Sequence, residues 1–269
     1  SVFLYEGWEH VTPYVPESKL QRVPFHVKGF GTQLPFTSCS WNLIGLSFAL
    51  SAYITWVAVV AGHDDADHDH DHDDTKRRRR PGGVGVSKWI LRLGVLAFET
   101  VAPSALLVSA VTRYAIWPAT LASDDGDTSG LSDFRTLLWH NANVILILAE
   151  VAFLGGQPVV PSHFATTPLF GCAYVAFSWL YRDAWSNNNQ QQHGSQFLYH
   201  FFDTSTGPTV TIALFALLTI LLLFYGILAS AKGILDYYNN YNNYKGGRRL
   251  ASHALFVLLV AGSVCRFRD

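Results

Sequence analysis

One long uncharged run constrains the fold of this chain more than any other feature. The segment Trp41–Gly62 has 22 residues and contains no charged side chain. About 20 apolar residues in a helix cross the hydrocarbon core of a bilayer. Composition agrees, because 49% of the residues are hydrophobic and only 14% are charged, against roughly 25% charged in soluble domains. We therefore expect an integral membrane protein.

Further apolar segments follow, separated by polar or charged loops. They are Ser87–Trp117, Leu137–Leu154, Pro168–Tyr181, Pro208–Ala231 and Leu250–Cys265. The last is of marginal length, so it is expected either to cross the membrane or to lie at its interface. The predicted fold class is all-α, a polytopic transmembrane helical bundle with five to six spans.

The chain divides into two predicted regions. Residues 1–40 hold no apolar run long enough to span, so they form an extramembrane N-terminal segment. Because the chain opens with Ser1 rather than methionine, an upstream part of this segment is expected to be missing. Residues 41–265 form the transmembrane helical domain, which contains a His/Asp-rich and Arg-rich loop at 63–86.

Basic residues predict the orientation of the bundle. Loop 63–86 and loop 232–249 carry Lys and Arg clusters, whereas loops 118–133 and 186–207 contain neither residue. By the positive-inside rule the two basic loops face the cytosol, in an endomembrane or the plasma membrane. The net charge of −1 does not favour a nucleic acid partner, and the sequence does not define an oligomeric state.

The segment Leu137–Leu154 carries two ionisable side chains, His140 and Glu150. Such groups are costly at membrane depth and tend to mark function. Ten residues of helix rise about 15 Å, so these two side chains do not touch. We expect Glu150 to contact another helix, with Arg92 or Arg113 as alternative ion partners.

Alternation of five spans brings three side chains to one face of the membrane. Thr37 precedes the first span, His140 begins the third and Asp203 precedes the fifth. A hydroxyl, an imidazole and a carboxylate can act as nucleophile, base and orienting group. Three structural roles remain open instead: Thr37 as a helix cap, His140 as an interhelical hydrogen-bond residue and Asp203 as a solvated carboxylate.

The tract at 63–74 alternates histidine and aspartate. Imidazole and carboxylate groups bind metals, so the tract is compatible with loose binding of zinc. Its repetitive spacing is more typical of a solvated low-complexity loop, and no cofactor or metal site is predicted. A metal-ion transporter is therefore kept only as an alternative.

Three motifs together resemble one membrane family. They are PFTSCSWNLIGLSF around Thr37, the ten-residue spacing from His140 to Glu150, and LYHFFD ahead of the fifth span. The family is that of the androgen-induced membrane hydrolases, whose relatives are the androgen-dependent TFPI-regulating protein and the Rolling stone-like proteins. The resemblance covers Phe36–Ala231, and residues 140–181 are similar to the Rolling stone branch.

This resemblance implies a multi-span helical protein and two alternative functions. In the androgen-induced branch it implies a hydrolase of fatty acid esters of hydroxy fatty acids, with Thr37 as nucleophile and His140 as base. Asp203 is added from the topology and not from the family. We expect this hydrolase, with the lipid bilayer and a lipid ester as its partners. In the Rolling stone branch the resemblance implies a non-catalytic membrane protein.

Overall fold

The structure is a computed structural model that describes residues 8–10, 25–27, 29–66, 86–122, 128–153, 159–186, 197–241 and 246–266. Most of these residues are helical, which confirms the predicted all-helical bundle. A small two-stranded antiparallel sheet precedes the bundle. In it, β1 (Trp8–His10) pairs with β2 (Phe25–Val27).

Six helices coincide with the six predicted apolar segments. They are α1 (Phe36–Ala66), α2 (Lys88–Val111), α3 (Asn143–Ala152), α4 (Thr166–Ser186), α5 (Pro208–Tyr241) and α6 (Gly246–Val264). Short 3-10 turns and single α-helical turns join them. Two π-helical turns, Thr112–Ile116 and Leu138–Ala142, lie at the end of α2 and directly ahead of α3.

Three of these helical stretches are long and apolar enough to cross a membrane. They run over Phe36–Val60, Lys88–Leu121 and Pro208–Leu235. The apolar helices over Leu138–Ala152 and Ala251–Val264 are shorter. The described residues therefore establish three candidate spans by length and composition, fewer than the five to six that the sequence predicts.

The first helix begins earlier than the apolar run suggests. It starts at Phe36 directly after Pro35, a residue that tolerates the start of a helix because it has no N–H to satisfy. The buried Ser38 hydroxyl donates to the Thr32 carbonyl at 2.9 Å, which holds the preceding turn against the helix. Thr37 consequently lies within the first turn of α1 instead of ahead of it.

Helix α2 is the centre of the bundle and packs against all five other helices. In its apolar stretch 78% of the residues are buried, against 17% in α1 and 22% in α5. Small side chains such as Ala102 and Ala105 are fully buried there and permit close approach of neighbouring helices. The other helices therefore surround α2 and direct apolar side chains outward.

Side chains around the π-helical turns hold the end of α6. Arg113 donates to the carbonyl oxygens of Gly262 and Cys265, the latter at 2.7 Å. The Asn141 amide donates to the Arg266 carbonyl at 2.7 Å. Carbonyls at a helix C-terminus lack partners within the helix, so these bonds satisfy them. Arg113 thus caps α6 and is not the ion partner of Glu150.

Candidate functional site

A cavity of about 880 Å³ lies at one end of the bundle. It is lined by the first turn of α1, the end of α2, the π-helical turn ahead of α3, and the facing sides of α4 and α5. Its lining is mostly apolar and aromatic, which is typical of pockets for small organic ligands. Residues with hydroxyl or imidazole groups also line it, and they are Thr37, Ser38, Thr112, Thr136, His140, Tyr174 and Tyr199.

His140 sits in the π-helical turn Leu138–Ala142, directly opposite the start of the other π-helical turn. Its Nδ1 lies 3.3 Å from the Thr112 Oγ1, and the Ser109 hydroxyl donates to its carbonyl oxygen. π-helical turns are rare and are frequent at functional sites. Here the two π-helical turns widen the helices at the level where His140 lines the cavity.

The contact with Thr112 assigns the tautomer of His140. The single hydroxyl hydrogen of Thr112 is donated to the Val108 carbonyl at 2.9 Å, so the Thr112 oxygen can only accept from the ring. Nδ1 therefore carries the ring hydrogen and Nε2 keeps its lone pair. A neutral imidazole with a free lone pair on Nε2 can act as a general base.

Helix α1 directs Thr37 toward the same cavity. The Trp41 indole N–H donates to the Trp139 carbonyl at 2.8 Å, one residue before His140. Because residues four apart share a helix face, this bond turns the Thr37 side of α1 toward the π-helical turn. Both residues are described, and no hydrogen bond joins the Thr37 hydroxyl to the His140 ring in this structure.

Tyr199 contacts the first turn of α1. Its hydroxyl interacts electrostatically with the Thr37 side chain and with the backbone of Phe36 and Thr37. The first N–H groups of a helix lack intrahelical acceptors, and the Tyr199 oxygen lies beside two of them. Burial raises the pKa of Tyr199 to about 12, and the phenol therefore stays protonated and able to donate at neutral pH.

Neighbouring hydroxyls differ from Thr37 in their surroundings. The Ser38 hydroxyl hydrogen is committed to the Thr32 carbonyl. Ser40 is fully buried, and its hydroxyl has no hydrogen-bond partner among the described residues. Of the three, only Thr37 combines a place in the cavity lining with a hydroxyl that lies beside another hydroxyl.

Asp203 occupies a different position from the other two predicted site residues. It is 2% exposed, and its Oδ1 accepts the Ser205 N–H at 2.8 Å, which caps the 3-10 turn Thr204–Thr206. The described lining of the cavity contains Thr37 and His140 but does not contain Asp203. In this structure the group that contacts the His140 ring is the Thr112 hydroxyl and not a carboxylate.

A second polar cluster, centred on Glu99 of α2, lies outside the cavity lining. Glu99 is fully buried, accepts the Val160 N–H and pairs with the His163 ring at 2.8 Å. The Thr167 hydroxyl donates to its carbonyl at 2.8 Å, and Tyr225 of α5 donates to the Val160 carbonyl at 2.7 Å. Glu99 therefore fastens the turn after α3 to the centre of the bundle.

No group of three or more metal-binding side chains occurs among the residues that the structure describes. Most of the His/Asp tract at 63–74 falls outside those residues. The structure shows that α1 continues to Ala66 but does not describe the side chains there.

Cys172 offers a direct check that the cavity is accessible. It lines the cavity and is exposed, whereas Cys39 is partly buried and Cys265 is buried. Since thiol reagents need access to the sulfur, we expect N-ethylmaleimide to label Cys172 at least about tenfold faster than the other two thiols. Peptide mass spectrometry of protein in nanodiscs measures the rates. Labelling of Cys265 faster than Cys172 would contradict this arrangement, and so would a Cys172→Ser variant that incorporates as much label as wild type.

Comparison of the chain with models of known protein families, with curated proteins and with solved structures gives no match. The functional assignment therefore depends on the geometry of the cavity and on the sequence motifs around Thr37 and His140.

Proposed function

We propose that this protein is a multi-pass membrane hydrolase of lipid esters, with Thr37 as nucleophile and His140 as general base. The observation that carries the proposal is that both side chains line one apolar cavity at the end of a membrane bundle. The resemblance to the androgen-induced membrane hydrolases adds the substrate class, fatty acid esters of hydroxy fatty acids.

The proposed reaction uses groups that already face the cavity. His140 Nε2 removes the hydroxyl proton of Thr37 while Oγ1 attacks the ester carbonyl. The tetrahedral intermediate then collapses, the C–O bond to the alcohol breaks, and the proton passes from Nε2 to the leaving alcohol. A water activated by the same nitrogen hydrolyses the acyl-threonine and restores both residues.

The N-terminus of α1 suits the negative charge of the intermediate. Backbone N–H groups at the start of a helix bind anions, and those of Phe36 and Thr37 lie beside the Tyr199 hydroxyl. A substrate carbonyl oxygen that takes the place of the Tyr199 oxygen would receive these donors and leave the phenol free to donate as well. Donors positioned for a developing oxyanion are typically worth about 10²–10³ in rate.

The hydrolase is proposed to cross the membrane with all six helices. Each helix carries exposed large apolar side chains, and extensive exposed apolar surface is a mark of membrane contact; they include Trp56, Trp89, Ile145, Leu180, Ile212 and Leu258. With the basic loops in the cytosol, the cavity opens on the lumenal or exterior side. Cysteine accessibility at the two ends of α5 in sealed vesicles tests this orientation.

Labelling with a fluorophosphonate probe tests the nucleophile. We expect purified wild-type protein in nanodiscs to carry the label on Thr37, because an activated hydroxyl attacks the phosphorus, and His140→Ala to remain unlabelled. Peptide mass spectrometry locates the label. A label on Ser38, or full ester hydrolysis by the His140→Ala variant, would refute the assignment.

The non-catalytic alternative predicts a different outcome for the same proteins. There His140 only joins helices, through Thr112 and the carbonyl contact with Ser109. Its replacement would lower the thermal midpoint in detergent, and neither wild type nor variant would hydrolyse a lipid ester.

The role of Thr112 in orienting His140 gives a separate prediction. Thr112→Val keeps the shape of the side chain but removes the acceptor for Nδ1, so the ring can adopt the other tautomer. We expect kcat to fall about 10–100-fold, less than the about 10⁴-fold seen when a triad loses its aspartate partner. Thr112→Ser should restore most of the loss, which stopped-flow assays on a soluble ester can measure. Equal activity of the Val and Ser variants would exclude the orienting role.

A further inference from the structure

The cavity has a polar end and an apolar end. Hydroxyl and imidazole groups of Thr37, Thr112, His140 and Tyr199 cluster at the face of the bundle where α1 begins. Farther into the bundle, the last lining residues on their helices are Leu107 of α2, Gly171 of α4 and Leu221 of α5. The side chains of Leu107 and Leu221 are hydrocarbon, and Gly171 has no side chain. A ligand that matches this lining has one polar group and one hydrocarbon arm.

Helix geometry gives the depth of the apolar part. From Thr112 to Leu107 is five residues along α2, and from Trp179 to Gly171 is eight residues along α4. At 1.5 Å rise per residue these distances are about 8 Å and about 12 Å. The cavity therefore reaches only part of the way into a hydrocarbon core that is about 30 Å thick.

Gly171 and Leu221 close the deep end. A Cβ atom added at Gly171 would lie 3.3 Å from Leu221 Cδ2, so α4 and α5 approach each other closely at this level. Leu221 is 2% exposed and belongs to the main apolar core, which continues below it with Phe224 and Leu228. Along the bundle axis the cavity therefore ends against packed side chains, which form its floor.

The geometry points to an acyl-binding arm whose floor, formed by Gly171 and Leu221, sets the length of the fatty acyl chain that the site accepts. This inference rests on the proposed function, because it places the ester carbonyl at Thr37 and the acyl chain below it. In a bilayer the chain is already in an apolar solvent, so binding does not select for length through burial alone. Selection follows from the packed floor, since an overlong chain must bend or leave its carbonyl out of reach of Thr37.

A chain-length series tests the floor directly. Gly171→Leu places a branched side chain in the deep end, and Leu221→Ala removes one from it. We expect Gly171→Leu to lower kcat/KM at least about tenfold for the longest p-nitrophenyl ester that wild type accepts, since one methylene too many in a pocket costs about tenfold or more. The butyrate ester should change less than about twofold. Leu221→Ala should shift the optimum toward longer chains.

Ala173→Leu is the matched control. Ala173 lies two residues beyond Gly171, about 200° around α4, is exposed and does not belong to the described lining. This variant adds the same side chain outside the cavity and should keep the wild-type chain-length profile. Thermal midpoints show whether each variant is folded. Leu221→Ala should shift the optimal chain length in the opposite direction, and misfolding would not produce such a shift.

A binding measurement separates the floor from the chemistry. In the Thr37→Ala background, bromine-labelled fatty acids should quench the fluorescence of the lining residues Trp139 and Trp179. Quenching should stop at the same chain length at which wild type stops hydrolysing esters. Gly171→Leu should lower this maximum chain length. If wild type hydrolyses no ester but Gly171→Leu lowers the maximum chain length that binds, the acyl-binding arm is supported and the hydrolase assignment is refuted. Unchanged profiles in both assays with folded Gly171→Leu and Leu221→Ala variants would overturn the acyl arm, even with hydrolysis intact.

Discussion

Replacing Thr37 by alanine is expected to reduce ester hydrolysis at least about thousandfold, because removal of a nucleophile leaves only the contributions of binding and oxyanion stabilisation. His140→Ala should cause a loss of similar size. Since the two residues act in one step, the double variant should be hardly slower than either single variant. Turnover of a long-chain ester by purified protein in nanodiscs measures all three.

Two variants at the start of α1 act as controls. Thr37→Ser keeps a hydroxyl on the same atom position and should retain measurable turnover. Ser38→Ala removes the neighbouring hydroxyl and its bond to the Thr32 carbonyl, and it should stay within about tenfold of wild type, the cost of one ordinary hydrogen bond. Full activity of Thr37→Ala combined with an inactive Ser38→Ala would transfer the nucleophile to Ser38.

Replacing Glu99 by alanine is expected to cause the largest loss of stability. It leaves the Val160 N–H without an acceptor and opens a void beside the central helix, since Glu99 is fully buried. An unsatisfied buried donor together with a cavity costs about 2–4 kcal/mol. For a domain of this size we expect the thermal midpoint in detergent to fall by about 5–15 °C.

Glu150 provides the matched control for Glu99. Both carboxylates lie in apolar helices, but Glu150 is partly exposed whereas Glu99 is not. Glu150→Ala should therefore change the free energy of unfolding by less than about 1 kcal/mol. Glu99→Gln keeps an acceptor for the Val160 N–H and should fall between the two. Equal midpoints for Glu99→Ala and Glu150→Ala would show that the Glu99 cluster does not stabilise the bundle.

Long apolar runs predicted the positions of the helices. A helix that is buried or in contact with lipid needs such a run, regardless of which other helices pack against it. Helix ends were less predictable. The start of α1 at Phe36 depends on Pro35 and on the Ser38 bond to the preceding turn, and neither is part of the apolar pattern. The end of α2 agrees better with the predicted segment Ser87–Trp117, since the helical backbone continues beyond Val111, but the apolar pattern does not show the π-helical turn there.

The sequence placed Thr37 and His140 at the same end of the bundle by counting spans, and the structure places both in one cavity. The partners of these residues depend on tertiary contacts that no local pattern encodes. Thr112 is an ordinary hydroxyl near the end of an apolar segment, and only the packing of α2 against the turn before α3 brings it to the His140 ring. Tyr199 was visible in LYHFFD, but only as part of a motif and not as a contact of Thr37.

Glu99 is a second residue whose tertiary partner cannot be identified from the sequence. Its partner His163 lies 64 residues away in a turn between two helices. The sequence marks Glu99 as a carboxylate in an apolar helix, which requires a partner, but it offers several histidines and arginines. The choice among them depends on the path of the chain after α3.

The π-helical turn at Leu138–Ala142 makes the position of His140 depend on a residue count as well as on residue identity. A π turn holds one residue more than the α turn it replaces, and each residue in a helix turns the side chain by about 100°. A relative that keeps the histidine but is one residue shorter between Leu137 and Asn143 would rotate that ring away from Thr112. Alignments of the histidine alone would then match two proteins whose imidazoles face different environments.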